Sequence, residues 1–216
     1  DPESIREKIT PRTRAIILVH QFGTPANMDE IMKIVKEFDL KLIEDCAQAH
    51  GAKYKDQYVG TFGDIGVFSL NVNKTIQTGE GGVCITQDKE LAYRLALIRN
   101  HGEAVVGPAG YENISNIAGF NYRLTELQAA VGQEQLKKLD ELNKVRRDYV
   151  FYLADSLKKI AYLDPMLERE NTFSTFYIFP MRFLSDIAPF TRNDFAMKLK
   201  EKGILFYQGY TKPLYY

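Results

Sequence analysis

Residues 15–45 read AIILVHQFGTPANMDEIMKIVKEFDLKLIED, and this stretch decides the fold. Its opening AIILV is a short apolar run, partly β-branched, which is typical of a strand buried on both faces. Asn27 followed by Glu30 predicts a helix start, after which apolar residues repeat at helical spacing. The closing LKLIED predicts a second strand over residues 40–43 that runs into Glu44 and Asp45. Strand, helix and strand in this order predict a parallel sheet with helices on its faces.

Further elements are predicted outward from this unit. Strands are expected at 65–70 and 83–86, and a long helix from residue 125 to about 159, whose charged residues, Arg146 among them, form a solvated face. Residues 173–183 are strand-like. The pattern changes near residue 150, which indicates an α/β domain followed by the beginning of an α+β one.

Composition excludes several classes of function. The 216 residues carry 28 Lys and Arg against 28 Asp and Glu, so bulk charge gives no reason to expect a nucleic-acid partner. No apolar run approaches the roughly 20 residues of a membrane span, and no membrane association is expected. Two cysteines, Cys46 and Cys84, suit a reducing cytoplasm. No metal site is predicted, because His20 and His50 lack metal-ligand spacing.

Candidate functional residues follow the predicted strands. Ligands of parallel α/β sheets bind beyond the carboxyl ends of the strands, where Asp45 lies. Ser69 and Lys74 follow the strand at 65–70, and a glycine-rich stretch occupies 79–82. Taken singly, each has a simpler interpretation: Asp45 as a turn or cap carboxylate, Lys74 as a solvated surface charge and GEGG as an ordinary turn.

In combination these segments resemble a known family. IEDCAQAHGA, TFGDIGVFSLNVNKTIQTGEGG and GFNYRLTELQAAVG occur in one order, and are similar to the DegT/StrS-type nucleotide-sugar aminotransferases. Those are pyridoxal 5'-phosphate (PLP) enzymes of the aspartate aminotransferase superfamily, fold type I. NKTIQTGEGG is especially similar to perosamine synthase-like members. The resemblance runs from about Ile9 to the end of the chain.

The resemblance implies an architecture. It is a three-layer sandwich around a mostly parallel mixed sheet, with residues 1–150 as part of the PLP-binding large domain and 151–216 as the beginning of a small α+β domain. Family members are considerably longer, and nothing here matches their N-terminal phosphate loop. With a start lacking Met and an apolar end at PLYY, this leads us to expect a piece of a longer protein.

The resemblance also assigns roles at the cofactor ring. The lysine that forms the Schiff base with PLP falls on Lys74, and the carboxylate partner of the pyridine nitrogen on Asp45. The residue that bonds the 3-oxygen of the ring falls on Gln48, and the small residue against the ring face on Ala47.

Further roles are implied around the ring. The serine that bonds the cofactor phosphate falls on Ser69. Asn121 matches a residue that reaches the phosphate bound by the neighbouring subunit, which implies a homodimer with shared active sites. His101, Tyr210 and Lys212 are weaker candidates for contact with substrate.

The implied activity is transfer of an amino group from glutamate, through the pyridoxamine 5'-phosphate form of the cofactor, to a nucleotide-linked keto-sugar. Such reactions serve surface-polysaccharide (lipopolysaccharide) or secondary-metabolite sugar biosynthesis. Some relatives are instead pyridoxamine-dependent sugar dehydratases and carry histidine where this chain has Lys74, so lysine favours transamination.

Two other classes of function stay open. One is a non-catalytic binding or regulatory module on the same fold. The other is a nucleotide-binding Rossmann-type domain, which requires G-x-G-x-x-G directly after the first strand. The residues after Val19 are HQFGTPAN, so this second class is disfavoured.

Overall fold

The strand–helix–strand unit predicted at 15–45 is present. In the computed structural model, which describes residues 1–102 and 117–209, strand β1 (Ala15–Val19) runs parallel to β2 (Lys41–Asp45) with Val19 opposite Asp45. Helix α2 (Met28–Glu37) joins them, and the Asn27 side chain accepts a hydrogen bond from the backbone N–H of Glu30 at its start. The predicted cap and the parallel pairing are therefore confirmed.

The remaining elements complete a mixed sheet and its helices. In chain order, the other strands are β3 (Lys53–Tyr54), β4 (Gln57–Tyr58), β5 (Ile65–Ser69), β6 (Gly82–Ile85), β7 (Leu163–Pro165), β8 (Thr172–Phe173) and β9 (Met181–Phe183). The other helices are α1 (Pro2–Lys8), α3 (Lys89–Arg99), α4 (Glu126–Leu136), α5 (Leu139–Leu157) and α6 (Arg192–Glu201). The main sheet has the order β1-β2-β5-β6, in which β1, β2 and β5 are parallel and β6 is antiparallel to β5. The chain is thus α/β with a mixed sheet.

Apolar side chains from the sheet and α2 form the core beside the strand ends. Leu18 and Leu42 of the sheet pack with Met28 and Ile31 of α2 and with Tyr54. A second buried cluster begins directly after β2, at Cys46, and half-buried Phe68 packs against it. Burial of a side chain of this size contributes roughly 1.5–3 kcal/mol, so the core holds β2 and β5 firmly up to their carboxyl ends.

The prediction of one long helix from residue 125 to about 159 is wrong. The chain turns at Lys137 and Lys138, which separates α4 from α5. The two helices bury different positions: Leu127 and Val131 of α4 are exposed, whereas Asn143 is buried in α5. A single apolar stripe therefore does not run through both, and the observed break lets each helix present its own face.

The strand-like segment 173–183 is also not one strand. Its first residue ends β8, which pairs with β3, and its last residues form β9, which pairs with β7. By contacts, the chain divides into one unit of residues 1–150 and 168–178 and another of 151–167 and 179–216. The assignment of 151–216 to a separate small domain stays a prediction.

Residues 168–178 belong to the first unit through specific contacts. The Thr175 N–H donates to the Gly23 carbonyl over 2.9 Å, and Arg147 of α5 donates to the Ser174 carbonyl over 2.6 Å. Arg147 also forms an ion pair with Glu168. Among the described residues, no helix is both long enough and apolar enough to cross a bilayer.

Candidate active site at the carboxyl ends of the strands

The parallel strands bring two of the predicted site residues, Asp45 and Ser69, to one edge of the sheet. Asp45 is the last residue of β2, with Val19 opposite it in β1 and Val67 opposite it in β5. Ser69 ends β5 two residues after Val67 and projects to the same face, because side chains alternate along a strand. Asp45 and Ser69 therefore lie on neighbouring strands at the edge where α/β proteins bind ligands.

Asp45 is half-buried and makes a local hydrogen bond. Its Oδ1 accepts from the backbone N–H of Ala47 over 2.9 Å, and its backbone carbonyl accepts from the N–H of His20 over 3.1 Å. The first contact is the turn-type bond that the simpler interpretation of Asp45 anticipates. It engages one oxygen and fixes the carboxylate at the strand end, beside the half-buried Ala47.

Gln48 is held by a turn that follows β1. Its Oε1 accepts from the backbone N–H of Phe22 over 2.7 Å, which fixes the direction of the side-chain amide. Phe22 has a left-handed φ of 60°, unusual for a bulky residue. A Cβ on the next residue, Gly23, would lie 2.9 Å from the Gln48 carbonyl, so only glycine fits there.

Lys74 lies in a turn that begins where β5 ends. Its backbone N–H donates to the Asn71 carbonyl over 2.9 Å, and the Asn71 N–H donates to Ser69 Oγ over 3.3 Å. The Asn71 side chain bonds Glu80 of the glycine-rich stretch over 2.8 Å. This network carries Ser69, the half-buried Lys74 and the GEGG turn on one connected piece of backbone.

The Lys74 side chain reaches an aromatic ring that the sequence did not indicate. Lys74 Nζ lies 4.8 Å from the centroid of the Tyr177 ring, in the range of a cation–π contact. Arg146 of α5 donates from Nη1 to Thr75 Oγ1 over 2.7 Å, next to Lys74 in the chain. Burial lowers the pKa of Arg146, and its interaction with Tyr177 opposes that shift. The prediction that Arg146 belongs to a solvated face is wrong.

His50 connects the Asp45 segment to β5. Its ring donates from Nε2 to the Ser69 carbonyl over 2.8 Å, and its own carbonyl accepts from Asn143 of α5 over 2.9 Å. Nδ1 of this buried ring has no hydrogen-bond partner among the described residues. Burial lowers the pKa of His50; the Ser69 carbonyl opposes this shift, and the charges of Lys74 and Arg146 reinforce it.

A buried carboxylate, Glu44, was also missed. Its oxygens accept from His20 Nε2 over 3.0 Å and from the backbone N–H groups of Gly60, Phe62 and Gly63 over 2.7 to 2.8 Å. Burial alternates along β2, so Glu44 points inwards and Asp45 towards the edge of the sheet. Such alternation can be recognised in a sequence only when one face of the strand is buried and the other is not. Burial tends to raise the pKa of Glu44, but the bonds from His20 and the backbone outweigh it and lower that pKa.

His20, Glu44 and Cys46 place possible metal ligands within 4.8 Å of one another. The donors around Glu44 already occupy both its oxygens, and His20 Nδ1 accepts from the Ala26 N–H over 3.1 Å. Burial raises the pKa of the Cys46 thiol, which disfavours the thiolate that binds metals. His20 and Glu44 therefore form a hydrogen-bonded pair beside the buried Cys46 thiol.

Two predicted residues lie together in another part of the chain. Asn121 is exposed and forms an antiparallel bridge with Asn100, and the backbone N–H of His101 donates to the Phe120 carbonyl over 2.9 Å. Arg123 donates to the Asn100 side chain over 2.9 Å. The contacts of this group within the described ranges do not include Asp45 or Lys74.

Tyr210 and Lys212 lie outside the described residues.

The donor set at the strand edge fits PLP. A carboxylate at Asp45, an amine at Lys74, a hydroxyl at Ser69 and an amide at Gln48 are the groups that a pyridinium, an aldehyde, a phosphate and a ring hydroxyl respectively require. Neither Asp45 nor Lys74 forms an ion pair within the part of the chain that the structure describes. Both charges are thus in place to interact with a bound molecule.

Known proteins are similar to this chain in sequence. The chain is 38% identical over 214 residues to the GDP-perosamine synthase of Escherichia coli O157:H7, covering 98% of this chain and 57% of that protein. It is 38% identical over 192 residues to an L-glutamine:2-deoxy-scyllo-inosose aminotransferase of Micromonospora echinospora, covering 86% of this chain and 46% of that protein. The chain therefore spans about half the length of the curated relatives it matches.

Solved structures share the fold. An aminotransferase from Psychrobacter cryohalolentis superposes with a TM-score of 0.85 at 32% identity, over 94% of this chain and 55% of that one. An E. coli GDP-4-keto-6-deoxy-D-mannose-3-dehydratase with bound hydrated PLP gives 0.81 at 34% identity, with the same coverage of 94% and 55%. Residues 1–216 match the family model throughout, and the chain belongs to the DegT/DnrJ/EryC1/StrS aminotransferase family.

Proposed function

We propose that the protein is a PLP-dependent aminotransferase that transfers an amino group, from glutamate, to a nucleotide-linked keto-sugar. Membership of the family supports the reaction class, and the relative named GDP-perosamine synthase supports a sugar nucleotide as acceptor. The observation that carries the proposal is that Asp45 and Ser69 end neighbouring parallel strands, with Gln48 shortly after β2 and Lys74 in the turn that follows β5.

In this proposal Asp45 stabilises positive charge on the cofactor ring and Lys74 transfers the proton. PLP, when bound, supplies an aldehyde that condenses with amines and a ring that accepts an electron pair. Asp45 holds positive charge at the ring nitrogen, because an opposite charge in a poorly solvated place favours the protonated form. Lys74 Nζ removes the α-proton of the amino donor and returns it as the product forms. Acid–base catalysis of this kind increases the reaction rate roughly 10²–10⁴-fold.

Three other residues hold and orient the cofactor in this proposal. Ser69 Oγ donates to its phosphate, and the Gln48 amide, fixed by the Phe22 N–H, faces the ring oxygen. Ala47 follows Asp45 at the strand end, where a small side chain leaves room for a flat ring. Each of these residues binds without itself changing its protonation state.

Mass spectrometry tests the cofactor site. The full-length protein is incubated with PLP, reduced with borohydride and digested, and a pyridoxyl group is expected on the peptide that carries Lys74. Glutamate added before reduction should remove the label, and Lys74→Arg should prevent it while exposed Lys138 stays unlabelled. Label spread over surface lysines, or absent from Lys74 in the wild type, contradicts the proposal.

Kinetics test the role of Asp45. Asp45→Asn should keep bound cofactor but slow half-reaction with glutamate by more than tenfold, a loss above about 1.4 kcal/mol of transition-state stabilisation. Replacing glutamate by glutamine as donor distinguishes the proposed donor from the one named for the Micromonospora relative. A half-reaction rate within tenfold of wild type would show that Asp45 does not tune the ring.

A sugar dehydratase is the second candidate, because one similar solved structure is a GDP-4-keto-6-deoxy-D-mannose-3-dehydratase. Lysine at position 74 disfavours it, since the resemblance places histidine there in the dehydratases. Product analysis separates the two: transamination gives an amino-sugar and consumes the donor stoichiometrically, whereas dehydration leaves a deoxy keto-sugar without nitrogen.

The finer features of the whole protein belong to the same proposal. They are a three-layer sandwich with a small C-terminal domain, a homodimer in which Asn121 reaches the partner's cofactor phosphate, and a cytoplasmic role in lipopolysaccharide or secondary-metabolite sugar synthesis. The exposure of Asn121 supports its availability to a second subunit. A non-catalytic module is excluded if the purified protein is yellow and bleaches on addition of glutamate.

A further inference from the structure

The ammonium group of Lys74 has a defined resting place. Its Nζ lies 4.8 Å from the centroid of the Tyr177 ring. A lysine ammonium within about 6 Å of an aromatic face is attracted by the negative face of the ring. The contact joins the amine of the candidate site to a residue that follows it by about half the chain.

The backbone that leads to Tyr177 is fixed by contacts outside the Lys74 turn. The two residues before it, Thr175 and Phe176, are 1% and 2% exposed. Thr175 donates to the Gly23 carbonyl over 2.9 Å, so the segment is fixed against the turn that follows β1. The backbone that carries the ring is therefore held in place beside the Lys74 side chain.

The Lys74 turn is also fixed by a contact from α5. Arg146 donates to Thr75 Oγ1 over 2.7 Å, which sets the backbone beside Lys74 but leaves the lysine side chain to find its own contact. An extended lysine side chain loses rotamer entropy when it is ordered. The free-energy cost of this ordering is similar in size to the free energy gained from a single cation–π contact. Such a contact guides the side chain without locking it, which suits an amine that must leave and return.

We infer that Tyr177 is a positioning residue for Lys74, whose ring face holds the lysine ammonium whenever that side chain is not attached to cofactor. The inference rests on the proposed function in that Lys74 is taken as the amine that carries PLP. Tyr177 thereby keeps the released amine beside the reacting atoms, where it serves as acid and base, and prevents it from turning into solvent.

Trace acetylation of the cofactor-free, full-length protein tests the contact directly. The acetylation rate of Lys74 is measured by mass spectrometry relative to that of exposed Lys138 in the same chain. Tyr177→Leu should raise this ratio by about 3- to 30-fold, because the ammonium loses its stabilising partner. Tyr177→Phe, which keeps the ring, should stay within about twofold, as should Tyr149→Leu at an exposed tyrosine of α5. An unchanged ratio in Tyr177→Leu overturns the inference.

A second series keeps the test decisive if Tyr177→Leu does not fold. Phenylalanines of increasing fluorination at position 177 keep the shape of the ring and withdraw negative charge from its face. The Lys74 ratio should rise steadily with fluorination, and a flat series overturns the inference. Failure of borohydride to fix a pyridoxyl group on wild-type Lys74 would instead refute the proposed function, whatever the acetylation ratios show.

Discussion

His50 donates from Nε2 to the backbone carbonyl of Ser69 over 2.8 Å, and so ties the segment after β2 to the end of β5. A carbonyl only accepts, so the proton of the neutral ring is on Nε2 and Nδ1 is bare. Lys74 and Arg146 are the charged groups that act on this ring. The bond thus connects the strand end that carries Asp45 to the turn that carries Lys74.

We predict that His50 makes the folded state sensitive to mild acid. Its pKa is lowered from 6.5 in the folded chain, so the unfolded chain binds the proton more readily. The free energy of unfolding should therefore fall as the pH drops below about 6.5 and through the folded pKa. His50→Gln, which keeps a donor towards Ser69, should flatten this dependence in urea titrations between pH 7 and 5. The exposed control His101→Gln should retain the wild-type slope, and an equally steep slope in His50→Gln contradicts the prediction.

Glu44 is expected to stabilise the fold strongly at neutral pH. Glu44→Gln places an amide donor among the N–H groups of Gly60, Phe62 and Gly63, and should lower the free energy of unfolding by about 3 kcal/mol. Since the pKa of Glu44 is lowered from 4.5, its contribution is complete above about pH 4.5 and is lost as the pH falls through the folded value.

Chemical denaturation at pH 7 measures the effect of the Glu44→Gln substitution on the free energy of unfolding. Repeating it at pH 3.5 measures how much of the Glu44 contribution is lost in acid. The control is Glu37→Gln at an exposed ion pair with Arg6, for which less than about 1 kcal/mol is expected. A Glu44→Gln variant as stable as this control would show that the buried network contributes little.

Gly66 in β5 is expected to tolerate no side chain. An added Cβ would lie 2.3 Å from the Gly60 carbonyl oxygen and 2.6 Å from its Cα, and backbone cannot move away cheaply. Gly66→Ala should lower the unfolding free energy by about 3 kcal/mol. Gly82→Ala is the matched control and should change stability by less than about 1 kcal/mol, because among the described residues its Cβ meets only the Phe68 carbonyl, at 3.4 Å. Equal urea midpoints for the two variants would contradict the close approach.

Arg146 and Thr75 are expected to be energetically coupled. In a double-mutant cycle, Arg146→Met and Thr75→Val should show an interaction free energy of about 1 kcal/mol, as a partly buried, charge-assisted hydrogen bond provides. The exposed pair Lys144 and Asp148 on the same helix, tested as Lys144→Met and Asp148→Asn, should couple by less than about 0.5 kcal/mol. Additive effects at Arg146 and Thr75 would refute the link.

The sequence predicted the sheet edge because its signals are local. The apolar run before His20, the Asn27 cap and the run ending at Asp45 each depend on neighbours within a few residues. The motif around Lys74 indicated the family. The strand that precedes this motif, β5, ends within one residue of its predicted end. The helix start at residue 125 was predicted for the same reason, since the capping-box bonds between Thr125 and Gln128 lie within one helical turn.

The missed features depend on contacts between residues far apart in sequence. Tyr177 reaches Lys74 from beyond α5, and Glu44 is buried because loop backbone at Gly60–Gly63 curls over it. Arg146 looks like any other charge on a helix until Thr75 is placed against it. The break between α4 and α5 escaped for a related reason, because helical periodicity does not reveal which face each half buries.

The return of residues 168–178 to the first unit has a consequence for synthesis on the ribosome. A nascent chain that ends near Val150 has the four described strands of the main sheet but lacks Thr175, which contacts the turn after β1. That turn also holds Gln48, so the site edge remains without its outer support until translation has passed residue 178 and the segment has left the exit tunnel. A protein truncated near residue 150 would therefore lack the segment that supports the turn holding Gln48.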